Sequence, residues 1–425
     1  MRQIYKVLGA VAVLGLAGGY GYHALFGDQR YSVTSAISGK AEEARFELPD
    51  SPEEWRGRID YSKLDRQLTE LSLLPEMAGL AVAVVEAGKI RFVHTYGVVD
   101  KSSQVPVTPN TIFRWASVSK TVTGTLAASL ASAGAVDLER PVASWQTSLR
   151  LPGGAERNVT LAQLLSHQTG LTKNAYDEKL EDGESPGLVR GGLANAPLQC
   201  TPGTCHTYQN IAFDAATEIF GQAAGRPFAD SVSERFFLPL GMTSATYGMT
   251  GLTGSKDWAR PHNGATVRVL RESYWRVPAA AGVNSNIVDF ARWLQATMGE
   301  RPDVLGASVL RLAQMPRVGT ARLYGGELRQ AISDASYGLG WRSFHYGGRR
   351  LVGHSGAVDG FRATMIFEPA TRNGVVAMWN SNSGKPFRIP FAVFDSYDRR
   401  ANSRWLDFGD STPALGPAFS TDEGR

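Results

Sequence analysis

Cysteine is almost absent: the 425 residues hold two, Cys200 and Cys205, either side of Thr-Pro-Gly-Thr. No further Cys or His stands at ligand spacing, so neither a zinc site nor any other metal or cofactor is expected. Dense Lys/Arg blocks with interleaved aromatics are missing too. The net charge of +4 is spread along the chain, which argues against a nucleic-acid partner. There is no internal repeat. There is also no G-x-S-x-G elbow and no H-E-x-x-H, which sets aside two common hydrolase architectures. What remains, 43% hydrophobic and 20% charged, is a globular chain long enough for one large or two intimately packed domains.

Charge is also lacking from Val7 to Phe26, a run rich in Ala, Val, Leu and Gly behind Arg2 and Lys6. Such a segment (1–27) reads as a signal peptide or one spanning anchor, with the body exported to the periplasmic side of an inner membrane. Ala17-Gly18-Gly19 offers a cleavage site, but apolar residues continue to Phe26 and favour an uncleaved anchor. Two close cysteines behind an export signal suggest a small-loop disulfide, two free thiols being the alternative.

Residues 28–58 read as a linker, 59–405 as the folded body and 406–425 as a polar tail. Tyr61 to Leu73 carries Leu64, Leu68 and Leu71 at helical spacing. Gly79 to Ala87 followed by Ile90 to Tyr96 reads as a hairpin with a buried first strand. A helical block follows, roughly 120–300. It includes a short helix capped by Thr160, helices over Asn210 to Gly225 and Pro227 to Phe237, and one capped by Ser285 or Asn286. Lys173 to Pro197, Gly- and charge-rich, reads as a long loop able to cover a site. The period then becomes two: Tyr337 to Tyr346, Arg349 to Gly353, Phe361 to Glu368 and Gly374 to Trp379 read as antiparallel strands, closed by a helix through Phe387, Phe391, Phe394 and Tyr397. This is an α+β architecture with one antiparallel sheet assembled from both chain ends and an inserted helical subdomain. A site is expected between the two parts.

The chemistry starts at Ser117-Val118-Ser119-Lys120, at the head of an alanine-rich helical run. Ser117 and Lys120, three apart, share one face of a first turn. A serine hydroxyl needs a neighbouring base, and an amine at a buried helix start can be that base because burial and the helix dipole disfavour the ammonium form. By itself S-x-x-K is a weak signal, and a surface serine beside a solvated lysine is the commoner meaning. Tyr208-Gln209-Asn210, after Pro202-Gly203, adds a phenol able to relay a proton and an amide able to hold Lys120 or a substrate. Gly353-His354-Ser355-Gly356, ahead of a strand, would let an edge come close to a reacting carbonyl. His167, in Leu164-Leu165-Ser166-His167, reads as structural, bonding backbone near the site.

Taken in order, S-x-x-K, L-L-x-H-x-x-G-L, P-G-x(4)-Y-x-N, F-x-P-L-G-M and G-H-x-G resemble the serine β-lactamase-related family: class C β-lactamases, D-amino-acid peptidases and carboxylesterases of one β-lactamase/transpeptidase-like fold. The resemblance runs from about Gly79 to the final helix. It implies Ser117 as the acylated nucleophile, Lys120 and Tyr208 as the proton-transfer pair, and Asn210 as a substrate contact. It further implies His354, Ser355 and Gly356 as the third motif, and the N–H groups of Ser117 and Ala357 as the oxyanion hole. The substrate would be a small ester, amide, peptide or β-lactam.

One departure stands out. Class C enzymes begin the third motif with lysine, whereas His354, with a reference pKa of about 6.5, is mostly neutral at pH 7. Histidine there resembles the esterase and peptidase branches and counts against efficient β-lactam turnover. Lys385 and Arg388, after the last strand, would either replace the missing charge or simply be solvated. The competing expectations are therefore an ester- or amide-cleaving serine hydrolase, a β-lactamase or D-alanyl peptidase, and a catalytically silent membrane-tethered binding protein.

Overall fold

A run of small and β-branched residues, Gly79–Glu86 (β1), is buried at every position, as a strand must be when helices cover both faces of its sheet. The computed structural model describes residues 58–320, 324–400 and 403–408. The expected anchor, nearly all of the linker and the polar tail beyond Phe408 lie outside them. Among the described residues no helix is long and apolar enough to cross a membrane.

β1 pairs on one side with Lys89–Gly97 (β2) and on the other with the last strand of the chain. The later strands are Val318–Gly319 (β3), Ile332–Tyr337 (β4), Arg342–Tyr346 (β5), Arg349–Val358 (β6), Phe361–Glu368 (β7) and Asn373–Trp379 (β8). The eight form one antiparallel sheet in the order β2-β1-β8-β7-β6-β5-β4-β3. Both chain ends thus supply it. The sequence departs from expectation at three strands. Tyr337 to Tyr346 is two strands broken at Gly338 to Trp341, β3 was not foreseen, and β6 runs on through the His354 motif to Val358 instead of ending at Gly353.

One face is covered by Tyr61–Ser72 (α1) and Ile389–Tyr397 (α2). Asp60 caps α1 by accepting from the Lys63 N–H, and Leu64, Leu68 and Leu71 drop into a core with Leu80, Val82, Val84, Ala377, Trp379, Phe387 and Val393. Each buried leucine contributes about 1.5–3 kcal/mol. A second cluster, Phe344, Tyr346, Leu351 and Ile366 with Phe391 and Phe394, extends this layer. The opposite face carries Ser119–Ser132 (α3) and Ile287–Thr297 (α4), the latter capped by Asn286 and laid on β1 and β8.

The helical block is more broken than expected. The Asn210 helix begins only at Ala215, and Lys173 to Pro197 is no plain loop. It folds as the short helices Asp177–Glu181 and Pro186–Gly192 with a following turn, Leu193–Asn195. Arg190, buried there, bonds Asp214 and Glu218 at 2.7 and 2.8 Å. Charge pairing therefore orders a segment whose apolar pattern was too weak to show.

Strand β6 creates the site's geometry. β5 pairs only with Arg349 to Gly353, while His354 to Val358 pair with β7 alone. The β6–β7 turn has two residues, Asp359 and Gly360, so Val358 and Phe361 close the hairpin and hydrogen-bonded pairs alternate back from there. The main-chain groups of Ser355 and Ala357 consequently look away from β7, onto an unpaired edge.

Candidate active site

The chain enters α3 through a single tight turn, Ala116–Val118, in which Ala116 has φ of +49°. A left-handed alanine costs about 1–2 kcal/mol, and it makes the backbone reverse immediately before Ser117. The turn packs against β6. A Cβ on Gly356 would lie 2.3 Å from the Trp115 carbonyl oxygen and 2.8 Å from the Ser117 nitrogen, so only glycine admits this approach.

Lys120 is fully buried. Its Nζ donates to Asn210 Oδ1 at 2.7 Å and to the Ala280 carbonyl at 3.1 Å, and lies 3.4 Å from Ser117 Oγ. A neutral amine has two hydrogens and one lone pair. With those two acceptors taking its hydrogens, a neutral Lys120 would turn its lone pair to the serine hydroxyl, whereas the ammonium form donates toward all three oxygens. The Tyr208 ring centroid is 4.7 Å from the same nitrogen. The Ala280 carbonyl is itself held, because Asp214 accepts the neighbouring Ala279 N–H at 3.0 Å. Burial raises Asp214 to about 7 against the pull of Arg190.

Asn210 joins Lys120 to a residue that pattern reading missed. Its Nδ2 donates at 2.7 Å to Asp177 Oδ2, which also accepts from Tyr274 Oη at 3.2 Å. Burial raises the Asp177 carboxyl to about 7, opposed by those bonds and by Lys120. The charged run around it gave no sign of this, since a buried acid cannot be told from a solvated one by neighbours in sequence.

His354 and His167 are linked through Tyr337, also unforeseen. The Gln209 N–H donates to His167 Nδ1 at 3.2 Å, so Nε2 of that ring carries the hydrogen and donates to Tyr337 Oη at 3.2 Å. Tyr337 then donates at 2.8 Å to His354 Nε2, and His354 Nδ1 donates at 2.7 Å to the Ser355 carbonyl. Every ring nitrogen has one partner and both imidazoles are neutral tautomers. Burial, reinforced by Arg342 and Lys120, holds both histidines well below the ordinary value. Arg342 brings its guanidinium 5.5 Å from the Tyr208 and Tyr337 ring centroids.

Cys200 and Cys205 form a disulfide. Its loop straps onto Gly170 and His167, through Gln199 N–H to the Gly170 carbonyl and Thr207 N–H to the His167 carbonyl, and so delivers Tyr208. The Ser355 hydroxyl lies near Thr364 Oγ1 at 3.2 Å and Tyr324 Oη at 3.5 Å. Lys385 and Arg388 are not brought to the cluster. Lys385 pairs with Glu76 at 2.8 Å and Arg388 with Glu327 at 3.3 Å, and Phe387 between them packs on Trp379 in the core beneath α1. The turn after β8 carries them to that face.

Ser117, Lys120, Tyr208 and Asn210 thus meet beside an unpaired strand edge, and a family model described as Beta-lactamase matches residues 70–392. The chain belongs to the beta-lactamase family. Among curated relatives it is similar to a D-aminopeptidase of Brucella anthropi, 28% identical over 77% of this chain and 61% of that one. It is also similar to an unguisins hydrolase of Aspergillus violaceofuscus, 25% identical over 79% and 64%. A beta-lactamase of Pseudomonas fluorescens is 24% identical over 77% and 96%. The chain therefore spans under two thirds of the length of the first two. Among solved structures, an octameric penicillin-binding protein homologue from Pyrococcus abyssi superposes with a TM-score of 0.70 at 21% identity, covering 79% of this chain and 77% of that one. A class C beta-lactamase mutant gives 0.65 at 22%, covering 79% and 97%. These structures establish the fold, the β-lactamase/transpeptidase-like α+β arrangement.

Proposed function

We propose that the chain cleaves an ester or amide, as a carboxylesterase or peptidase, through an acyl-enzyme on Ser117. The observation that carries this is the buried Lys120 amine, held by Asn210 and the Ala280 carbonyl with its nitrogen 3.4 Å from the Ser117 hydroxyl. Ser117 Oγ attacks the carbonyl carbon while Lys120 takes its proton. The N–H groups of Ser117 and of Ala357 on the open edge bind the developing oxyanion. Tyr208 passes the proton to the leaving oxygen or nitrogen, and water then releases the acyl group. The D-aminopeptidase relative supports an amide substrate.

Turnover of β-lactams has less support, because His354 is neutral and Lys385 and Arg388 are engaged elsewhere. Labelling with a fluorophosphonate tests the reading: the adduct forms on Ser117, and Ser117→Ala loses both label and turnover, the latter by about 10³ or more. Equal labelling of the variant refutes it. Nitrocefin and D-alanyl peptides run alongside short p-nitrophenyl esters distinguish the branches. We also infer an exported location, which the Cys200–Cys205 disulfide supports; recovery of the protein in the cytosolic fraction would overturn that.

A further inference from the structure

The hydrogen bonds around Lys120 close into a circuit. Its Nζ donates to Asn210 Oδ1 and to the Ala280 carbonyl. Asn210 Nδ2 donates in turn to Asp177 Oδ2, the Tyr274 hydroxyl lies 3.2 Å from that same oxygen, and the chain runs on from Tyr274 to Ala280. The turn Ser273–Arg276 also grips the short helix Asp177–Glu181 and the residues after it. Tyr274 reaches Glu181 at 2.9 Å, and Arg276 donates to the carbonyls of Leu180, Gly183 and Glu184.

An amide has an accepting and a donating end that differ little in shape, so its partners decide which way it points. Among the described residues, Lys120 and Asp177 are the hydrogen-bond partners of the Asn210 side chain. Lys120 offers hydrogens and takes the oxygen; Asp177 Oδ2 offers lone pairs and takes the nitrogen. Turned over, the group would set oxygen against oxygen and N–H against the lysine's own hydrogens. Asp177 is 3% exposed, its Oδ1 has no hydrogen-bond partner, and burial pushes its carboxyl up to about 7. An acid so placed costs stability relative to an apolar side chain of the same size. Stability is therefore not what it supplies.

We propose that Asp177 is a positioning residue for the Ser117 chemistry: by holding the Asn210 nitrogen it keeps the amide oxygen on Lys120 and the lysine nitrogen within reach of the serine hydroxyl. The inference rests on the hydrolase reading and extends it to a residue outside the ordered motifs. The segment expected as a covering loop thereby supplies a support for the base.

The test uses the full chain with p-nitrophenyl butyrate and a fluorophosphonate. Asp177→Ala and Asp177→Leu both remove the acceptor, the second without opening space for a water, while Asp177→Asn keeps an accepting oxygen in the same place. A small displacement of the base lowers kcat/KM and the maximal labelling rate of the Ala and Leu variants by about tenfold to a hundredfold. The half-saturating probe concentration stays within about threefold, and Asp177→Asn recovers both rates to within about fivefold of wild type. A merely structural residue would leave folded Asp177→Leu labelling at the wild-type rate and would not separate Leu from Asn. Labelling and turnover within about threefold of wild type in Asp177→Ala or Asp177→Leu, whichever folds, overturn the inference and leave the hydrolase reading intact. So does an Asp177→Asn that falls as far as Asp177→Leu. A wild type that neither labels nor cleaves fails the hydrolase reading itself and takes this inference with it.

Discussion

Tyr337→Phe should be one of the most damaging single-atom deletions in the molecule. The hydroxyl takes one hydrogen bond from His167 and gives one to His354, and all three side chains are buried. Removing it leaves an N–H and a ring nitrogen without partners where water has no access. Each such group costs about 1–3 kcal/mol, and relief from desolvating the hydroxyl returns about 1, so the net loss is about 1–5 kcal/mol. Urea titration of wild type and variant measures it. Nitrogen-15 spectra of the histidines give an independent readout: wild type should show His167 protonated at Nε2, His354 at Nδ1, and neither ring titrating near neutral pH. A loss below about 0.5 kcal/mol, the size of an ordinary surface change, would refute the accounting. So would a His354 signal protonated on both nitrogens at pH 7.

Gly356→Ala should push β6 off the nucleophile turn. A displacement near 1 Å predicts a fall of about a hundredfold in kcat/KM, with about 1–3 kcal/mol of stability lost to overpacking; an active variant would show that the approach is not needed. For Asp177, the folded value of about 7 lies above the unfolded value of about 3.9. Its stability contribution is therefore full below about pH 4 and is lost as pH rises to about 7. Asp177→Asn should flatten the fall in unfolding free energy over that window, leaving the share due to Asp214, which burial shifts the same way. Equal slopes in both proteins would contradict a buried, protonated Asp177.

Residues with a strong local signature were readable before any coordinates. Leu64, Leu68 and Leu71 announced their helix by spacing, Ser285 and Asn286 offered a cap that Asn286 makes, and Gly79 to Glu86 showed its burial by unbroken apolarity. The proximity of Ser117 and Lys120 was legible because helical spacing alone brings positions 117 and 120 together. Tyr208 and Asn210 needed the ordered motifs, since nothing local ties them to a lysine ninety residues earlier. Asp177, Tyr274 and Tyr337 act through contacts with distant segments, and no short-range pattern records such partners. Lys385 and Arg388 show the converse failure. Their place after the last strand was read correctly, but which side of the sheet the turn would take depends on Phe387 seeking Trp379, a packing choice invisible in a run of basic residues.

The two-residue turn at Asp359 and Gly360 has a consequence for how this protein can evolve. It sets the parity of everything behind it on β6. Were the loop lengthened by one residue with strand pairing kept, the peptide of Ala357 would swing inward to its neighbour strand and the outward-looking amide would belong to a different residue. Loops elsewhere around the site are free to grow and reshape what is accepted, whereas this hairpin tolerates change only in steps that keep its odd and even positions in place.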